Sequence, residues 1–97
     1  MLLAVDTGNT ETVVGVFRDS ELALHWRAST REDRTADELT LLIAGFLGRG
    51  GLSLDRDVTG MVVASVVPAQ TQAVRELARA TFAFSPVVVE PGTRTCI

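Results

Sequence analysis

The sequence Leu2-Leu3-Ala4-Val5-Asp6-Thr7-Gly8-Asn9-Thr10 joins an apolar run to a polar loop near the start of the chain. Unbroken hydrophobicity over 2–5 is typical of a strand buried on both faces, and a second β-branched run follows at 12–17. The polar loop is therefore predicted at the tip of a hairpin. Gly8 and Asn9 both tolerate positive φ, so we expect them at the centre of a tight turn.

This polar loop has the chemistry of a phosphate and magnesium cradle. The missing Cβ at Gly8 lets an anionic group approach the backbone N–H groups, and Asn9 and Thr10 add neutral donors. Asp6 supplies an oxygen ligand that can hold a hydrated cation beside the phosphates. The alternative is a plain hairpin turn in which Asp6 only caps the loop, because these are ordinary turn residues.

Composition narrows the function classes. The chain has 97 residues, 46% hydrophobic and 22% charged, which indicates one globular domain with a proper core. The net charge is −3 and the nine basic residues, all arginine, are scattered, so nucleic acid is not an expected partner. The absence of lysine excludes a GxxxxGK[ST] phosphate loop and Schiff-base chemistry.

The expected location is the cytoplasm, with no membrane partner. The apolar runs are far shorter than the ~20 residues that span a bilayer, and Met1 leads directly into a strand without a basic segment. The single cysteine, Cys96, cannot form an internal disulfide.

A third strand and a helix are predicted next. Alternation over 22–27 places Leu22, Leu24 and Trp26 on one face of a strand and His25 and Arg27 on the other. The Thr-x-x-Glu spacing at 35–38 is a capping box. The apolar stripe that follows it predicts a helix that ends at Gly48, Gly50 and Gly51; the stripe is Leu39, Leu42, Ile43, Phe46 and Leu47.

The rest of the chain predicts a strand over 58–65, a helix from Pro68 to about Thr81 and a last strand over 86–90. The order is then β-β-β-α-β-α-β, and right-handed crossovers make the fourth and fifth strands parallel to the first. We expect an α/β, ribonuclease H-like domain with a mixed five-stranded sheet in the order 3-2-1-4-5. Asp6, Ser65 and Glu90 are expected to face one cleft.

Two kinds of enzyme commonly use a cleft of this type: two-metal nucleases and phosphoryl-transfer enzymes. A nuclease needs several carboxylates converging on two metal ions, and Ser65 stands where one of them is commonly found. Glu38 is accounted for by the capping box. Phosphoryl transfer fits better, because it relies mainly on positioning and on charge neutralisation by magnesium and backbone donors.

These residues together resemble the type III pantothenate kinases, of the actin, sugar-kinase and heat-shock-chaperone superfamily. The resemblance runs along the whole chain in four blocks: Asp6-x-Gly8-Asn9-Thr10 with 13–17; Trp26-Arg27 with Thr30 and 34–39; Ser65-Val66-Val67-Pro68; and Glu90-Pro91-Gly92 with Thr95. The resemblance implies ATP-dependent phosphorylation of pantothenate, the first step towards coenzyme A. It also implies Mg²⁺, a monovalent cation (K⁺ or NH₄⁺) and a cytoplasmic homodimer in the full-length protein.

Site residues follow from the resemblance. Asp6 would help position Mg²⁺, and Gly92 and Thr95 would border the pantothenate pocket. The segment implied to bind ATP is Asp6, Thr7, Gly8, Asn9, Thr10, Glu11, Thr12 and Val13.

Three departures qualify this resemblance. Cys96 replaces the usual glycine after Thr95, and Glu11 places an acid near the proposed phosphates, which is unfavourable unless it points away or meets a cation. Residues 1–97 also correspond only to the first of the family's two domains. The second domain, with the Gly-Ala-Asp-Arg aspartate expected as general base, is absent from them, so we expect the chain to be incomplete alone. The alternative within the family is a non-catalytic accessory factor of transcription.

Overall fold

The computed structural model describes residues 1–89, and all seven predicted elements are present in it. Gly92, Thr95 and the other positions after Val89 lie outside the described residues. The elements are β1 Leu2–Thr7, β2 Glu11–Arg18, β3 Glu21–Ser29, α1 Ala36–Arg49, α2 Leu54–Asp57, β4 Gly60–Ser65, α3 Pro68–Thr81 and β5 Val87–Val89. The four-residue helix α2 lies between α1 and β4 and was not predicted.

The predicted sheet is confirmed in order and direction. Its strands run β3-β2-β1-β4-β5. Strand β1 pairs antiparallel with β2 and parallel with β4, and β4 pairs parallel with β5. The central position of β1 places the end of this strand, and the loop that follows it, at the carboxyl edge of the parallel strands.

The capping box of α1 is confirmed. Thr35 Oγ1 accepts a hydrogen bond from the Glu38 N–H at 3.2 Å, and the Thr35 N–H donates to Glu38 Oε1 at 3.0 Å. These bonds from the backbone and then the side chain of Thr35 lower the pKa of Glu38. Helix α3 begins with Pro68, whose missing N–H costs nothing in a first turn.

The core lies between one face of the sheet and helices α1 and α3. Its members come from alternate strand positions and from the inward helix stripes: Leu3, Val5, Val14, Val16, Met61 and Val63, with Leu39, Ile43, Leu47, Val74 and Leu77. The expectation that β1 is buried on both faces is wrong for the described residues. Leu2 is 36% exposed and Ala4 only half-buried, because no described helix covers that side.

We call this uncovered side of the sheet the open face. Its residues are Ala4, Asp6, Val13, Gly15, Phe17, Leu22, His25, Val62 and Ala64.

Among the described residues no helix is long and apolar enough to cross a membrane.

Strand β3 departs from the predicted alternation at one residue. Val16 pairs with Leu24 and Phe17 with Leu22, so Ala23 forms a bulge in the register. The bulge turns Leu22 onto the open face, where its Cδ1 would lie 3.1 Å from a Cβ built at Gly15. Leu22 therefore does not share a face with Leu24 and Trp26, as the alternation predicted.

Trp26 packs against α1 from the face of β3 that it shares with Leu24. Its ring stacks on Phe46 with centroids 5.7 Å apart and planes 3° from parallel. Trp26 is half-buried rather than fully enclosed, since β3 is the edge strand of the sheet.

Candidate functional site

The hairpin tip joins β1 to β2 at the carboxyl edge of the sheet. It consists of residues 8–10, whereas Asp6 and Thr7, which were predicted as part of the polar loop, belong to β1. Thr7 pairs with Thr12 across the hairpin, and the Gly8 N–H donates to the Glu11 carbonyl at 2.9 Å. The predicted positive φ at Gly8 and Asn9 is wrong, because only Asp19 and Gly51 have positive φ among the described residues. Glycine is favoured at position 8 for a different reason, because its backbone lies close to that of Glu11. A Cβ at Gly8 would lie 3.1 Å from the Glu11 carbonyl oxygen.

The structure divides the predicted ATP segment between two faces. The side chains of Thr7 and Thr12 are 2% and 3% exposed and lie on the helix-covered side. Asp6 and Val13 lie on the open face, where they are register partners. Any part played by Thr7 and Thr12 in phosphate binding would therefore come from their backbone atoms.

The hairpin tip presents backbone donors that the fold itself leaves unused. Asn9 and Thr10 are exposed, and within residues 1–89 neither N–H has a hydrogen-bond acceptor. Backbone N–H groups on a tight, exposed turn form the concave sites that bind anions in other proteins. Asp6, exposed near the end of β1, precedes the tip by two residues, so this part of the chain offers N–H donors for a phosphate and a carboxylate for its counter-ion.

Thr30 holds the hairpin tip from the end of β3. Its N–H donates to the Thr10 carbonyl at 3.0 Å, and its Oγ1 donates to the Gly8 carbonyl at 2.8 Å. A third bond of 2.8 Å joins the hydroxyls of Thr30 and Thr12. The sequence gives Thr30 no signal beyond its place in a family block, because the β2–β3 register decides which loop residue it meets.

Glu11 meets a cation, which was one of the two ways for an acid to be accommodated here. Its Oε1 lies 3.3 Å from Arg27 Nε on the neighbouring strand, with side chains 49% and 72% exposed for Glu11 and Arg27. The pair balances the charge beside the hairpin tip. Its exposure means that it contributes little to folding stability.

Magnesium would have one protein carboxylate at this site. Within residues 1–89 no three acidic, histidine or cysteine side chains converge as a metal cluster. Mg²⁺ commonly keeps several waters and binds one or two carboxylates together with substrate phosphates. The exposed carboxylate of Asp6, two residues before the hairpin tip, fits that mode of binding.

Ser65 does not face the cleft as predicted. Its side chain is 7% exposed, donates to the Val67 carbonyl at 3.0 Å and accepts from the Val67 N–H at 3.1 Å. Both capacities of the hydroxyl are used in the turn into α3. The predicted substrate residues Gly92 and Thr95, like Glu90 and Cys96, lie outside the described residues.

Comparison with known proteins finds relatives in one family. The sequence profile of the type III pantothenate kinases matches residues 2–97. The type III pantothenate kinase of Frankia casuarinae is 51% identical over 96 residues, which are 98% of this chain and 36% of that protein. That of Moorella thermoacetica is 41% identical over 95 residues, covering 98% and 37%. A structure of the Aquifex aeolicus member of the Ppx/GppA family is similar with a TM-score of 0.49 at 13% identity, covering 93% of this chain and 35% of that one.

The match to these kinases covers nearly all of this chain but only part of each kinase. It includes 98% of this chain, whereas the chain spans 36–37% of the length of the two kinases. The family profile begins at the first residue of β1 and continues through every described element. The chain belongs to the type III pantothenate kinase family.

Proposed function

We propose that this chain supplies the first phosphate loop of an enzyme that phosphorylates pantothenate with ATP. The observation that carries the proposal is the hairpin tip, where the N–H groups of Asn9 and Thr10 are unused and the exposed Asp6 precedes them in β1. Membership of the family supports the choice of ATP as phosphoryl donor and of pantothenate as acceptor.

The proposed work of the loop is to bind and orient phosphate. Bound Mg²⁺ would neutralise charge on the phosphate oxygens, which is the chemistry that phosphoryl transfer most requires. Asp6 would hold the hydrated ion, while the N–H groups of Asn9 and Thr10 would donate to phosphate oxygens. Donors already fixed before the ligand arrives need no reorganisation at the moment of reaction.

The finer assignments also belong to this proposal. The resemblance supports a monovalent cation, K⁺ or NH₄⁺, a homodimer, a cytoplasmic enzyme and a pantothenate pocket bordered by Gly92 and Thr95. The general base and the second half of the ATP cleft are proposed to come from the part of the family's length that these 97 residues do not span.

Titration of the chain with Mg·ATP by calorimetry tests the loop. We expect binding in the wild type and a loss of roughly tenfold or more in Asp6→Asn, since one charge-assisted contact to the hydrated ion is removed. Asp19→Asn is the matched control. Asp19 is another exposed aspartate, at the opposite end of β2, and asparagine tolerates its φ of 58°.

Equal binding by the wild type and Asp6→Asn would contradict the proposal, because it would remove Asp6 from the magnesium site. A folded wild-type chain without detectable Mg·ATP binding would mean that the loop does not form a nucleotide site without the second half of the cleft. Circular dichroism of each protein establishes that it is folded.

A further inference from the structure

We propose that Thr30 is a positioning residue whose hydroxyl sets the direction of the Asn9 N–H, one of the two proposed phosphate-binding groups at the hairpin tip. This inference rests on the proposed function and deepens it. Thr30 lies just beyond β3 and makes three hydrogen bonds to the loop and its flank, at 2.8 Å to Gly8, 3.0 Å to Thr10 and 2.8 Å to Thr12.

Counting protons fixes the direction of each bond. A threonine hydroxyl has one hydrogen, and that of Thr30 is donated to the Gly8 carbonyl. Thr12 must then donate its own hydroxyl hydrogen to Thr30 Oγ1. The hydroxyl of Thr30 is thus donor and acceptor at once, and Thr12, which is 3% exposed, ties it to the buried side of the sheet.

Because peptide bonds are planar, fixing a carbonyl in the loop also fixes the direction of the N–H group that follows it. In a trans peptide the C=O and the following N–H point in opposite directions, and the described residues contain no cis peptide. Holding the Gly8 carbonyl on Thr30 therefore turns the Asn9 N–H away from Thr30. Holding the Thr10 carbonyl on the Thr30 N–H turns the Glu11 N–H away in the same manner.

Without the hydroxyl of Thr30 the Gly8–Asn9 peptide would have no such constraint. Its carbonyl has no other hydrogen-bond donor among residues 1–89, so the peptide plane could rotate and point the carbonyl oxygen towards the ligand. An oxygen in place of an N–H at a phosphate site would replace attraction by repulsion. The effect of losing Thr30 is then expected mainly in ligand binding.

Three variants separate this role from general stability. Thr30→Val removes the hydroxyl and keeps the shape and the backbone N–H, whereas Thr30→Ser keeps the hydroxyl. Thr40→Val is the matched control, because Thr40 Oγ1 also donates to a backbone carbonyl, that of Ala36 at 2.7 Å, but within α1. Each protein is measured for Mg·ATP affinity, for melting temperature and for the amide ¹H–¹⁵N signals of Asn9 and Glu11.

We expect Thr30→Val to weaken Mg·ATP binding about tenfold and to shift the amide signal of Asn9, whereas the Glu11 signal should stay close to its wild-type position because the Thr30 N–H is retained. Thr30→Ser is expected within about threefold of the wild type, and Thr40→Val should lose melting temperature without losing affinity. Wild-type affinity in Thr30→Val, or equal loss in Thr30→Ser, would overturn the role of the hydroxyl. Equal affinity losses in Thr30→Val and Thr40→Val would reduce Thr30 to a stability residue.

The amide signals distinguish failure of this inference from failure of the proposed function. A wild-type chain that does not bind Mg·ATP would mean that these 97 residues form no nucleotide site by themselves, but the Asn9 signal would still respond to Thr30→Val if the Thr30 hydroxyl orients the Gly8–Asn9 peptide. An unchanged Asn9 signal in a folded Thr30→Val protein would overturn the positioning role, whatever the chain binds.

Discussion

Replacing Glu11 and Arg27 by glutamine, separately and together, tests how charge beside the hairpin tip controls phosphate binding. The two side chains form an exposed pair with Nε and Oε1 3.3 Å apart. Glu11 should repel the phosphates of a bound nucleotide, and Arg27 should offset that repulsion. We expect Glu11→Gln to bind Mg·ATP more tightly than the wild type, Arg27→Gln to bind it more weakly, and the double variant to lie between them.

The size of these effects follows from the exposure of the pair. Two unit charges about 8 Å apart in water interact by about 0.5 kcal/mol. At about 0.15 M salt the screening length is also about 8 Å, which reduces the interaction to about 0.2 kcal/mol. For a ligand with several negative charges we therefore expect changes of about two- to fivefold in the dissociation constant at low salt.

Salt dependence is the decisive measurement. Mg·ATP affinity is determined by calorimetry at about 20 mM and about 1 M salt, where the screening length falls to about 3 Å. The differences between the variants should nearly vanish at high salt. A loss in Arg27→Gln that exceeds about thirtyfold and persists at high salt would refute long-range charge balance and indicate a direct contact with the phosphates. Changes of the same sign in both single variants would refute the compensation.

Three further predictions concern the scaffold. Leu3→Ala, at a fully buried position of central strand β1, should lower the free energy of unfolding by about 2–5 kcal/mol in urea titrations. Asp19→Val should cost about 1–2 kcal/mol by the same assay, because Asp19 has a φ of 58° and a β-branched residue disfavours that region, whereas Asp19→Gly should not destabilise. The stability advantage of the wild type over Glu38→Gln should be fully present above the ordinary glutamate pKa and disappear as the pH falls through the lowered pKa of Glu38, measured by melting temperature against pH.

Local patterns were sufficient to predict most of the fold. The apolar run of β1, the β-branched runs and the capping box at Thr35 each determine one element through neighbouring residues alone, and the topology then follows from crossover handedness. The face of Leu22 was mispredicted because the bulge at Ala23 is a property of the pairing between two strands. Period-two alternation contains no information about a register shift.

The candidate site was predictable to a lesser extent. Asp6, Asn9 and Thr10 follow from the composition of the loop, and the structure leaves all three exposed at one edge of the sheet. The conformation was mispredicted, since Gly8 and Asn9 have no positive φ and Gly8 is needed for close approach to the Glu11 carbonyl. The hydrogen bonds of Thr30 join segments that are far apart in the sequence, and those of Ser65 depend on the conformation of the turn into α3. Residue types alone specify neither.

Burial of the threonines connects the core of the domain to the behaviour of its loop. Thr7 and Thr12 pair across the hairpin immediately below the tip, and their side chains lie on the covered side, in line with Val5 and Val14. The tip is thus fixed by the buried Thr7–Thr12 pair at its base and by the hydrogen bonds from Thr30. A loop fixed on two sides loses little conformational entropy when a ligand binds. Val14→Ala should therefore weaken phosphate binding as well as folding. It would loosen the packing next to Thr12, whose hydroxyl is hydrogen-bonded to that of Thr30.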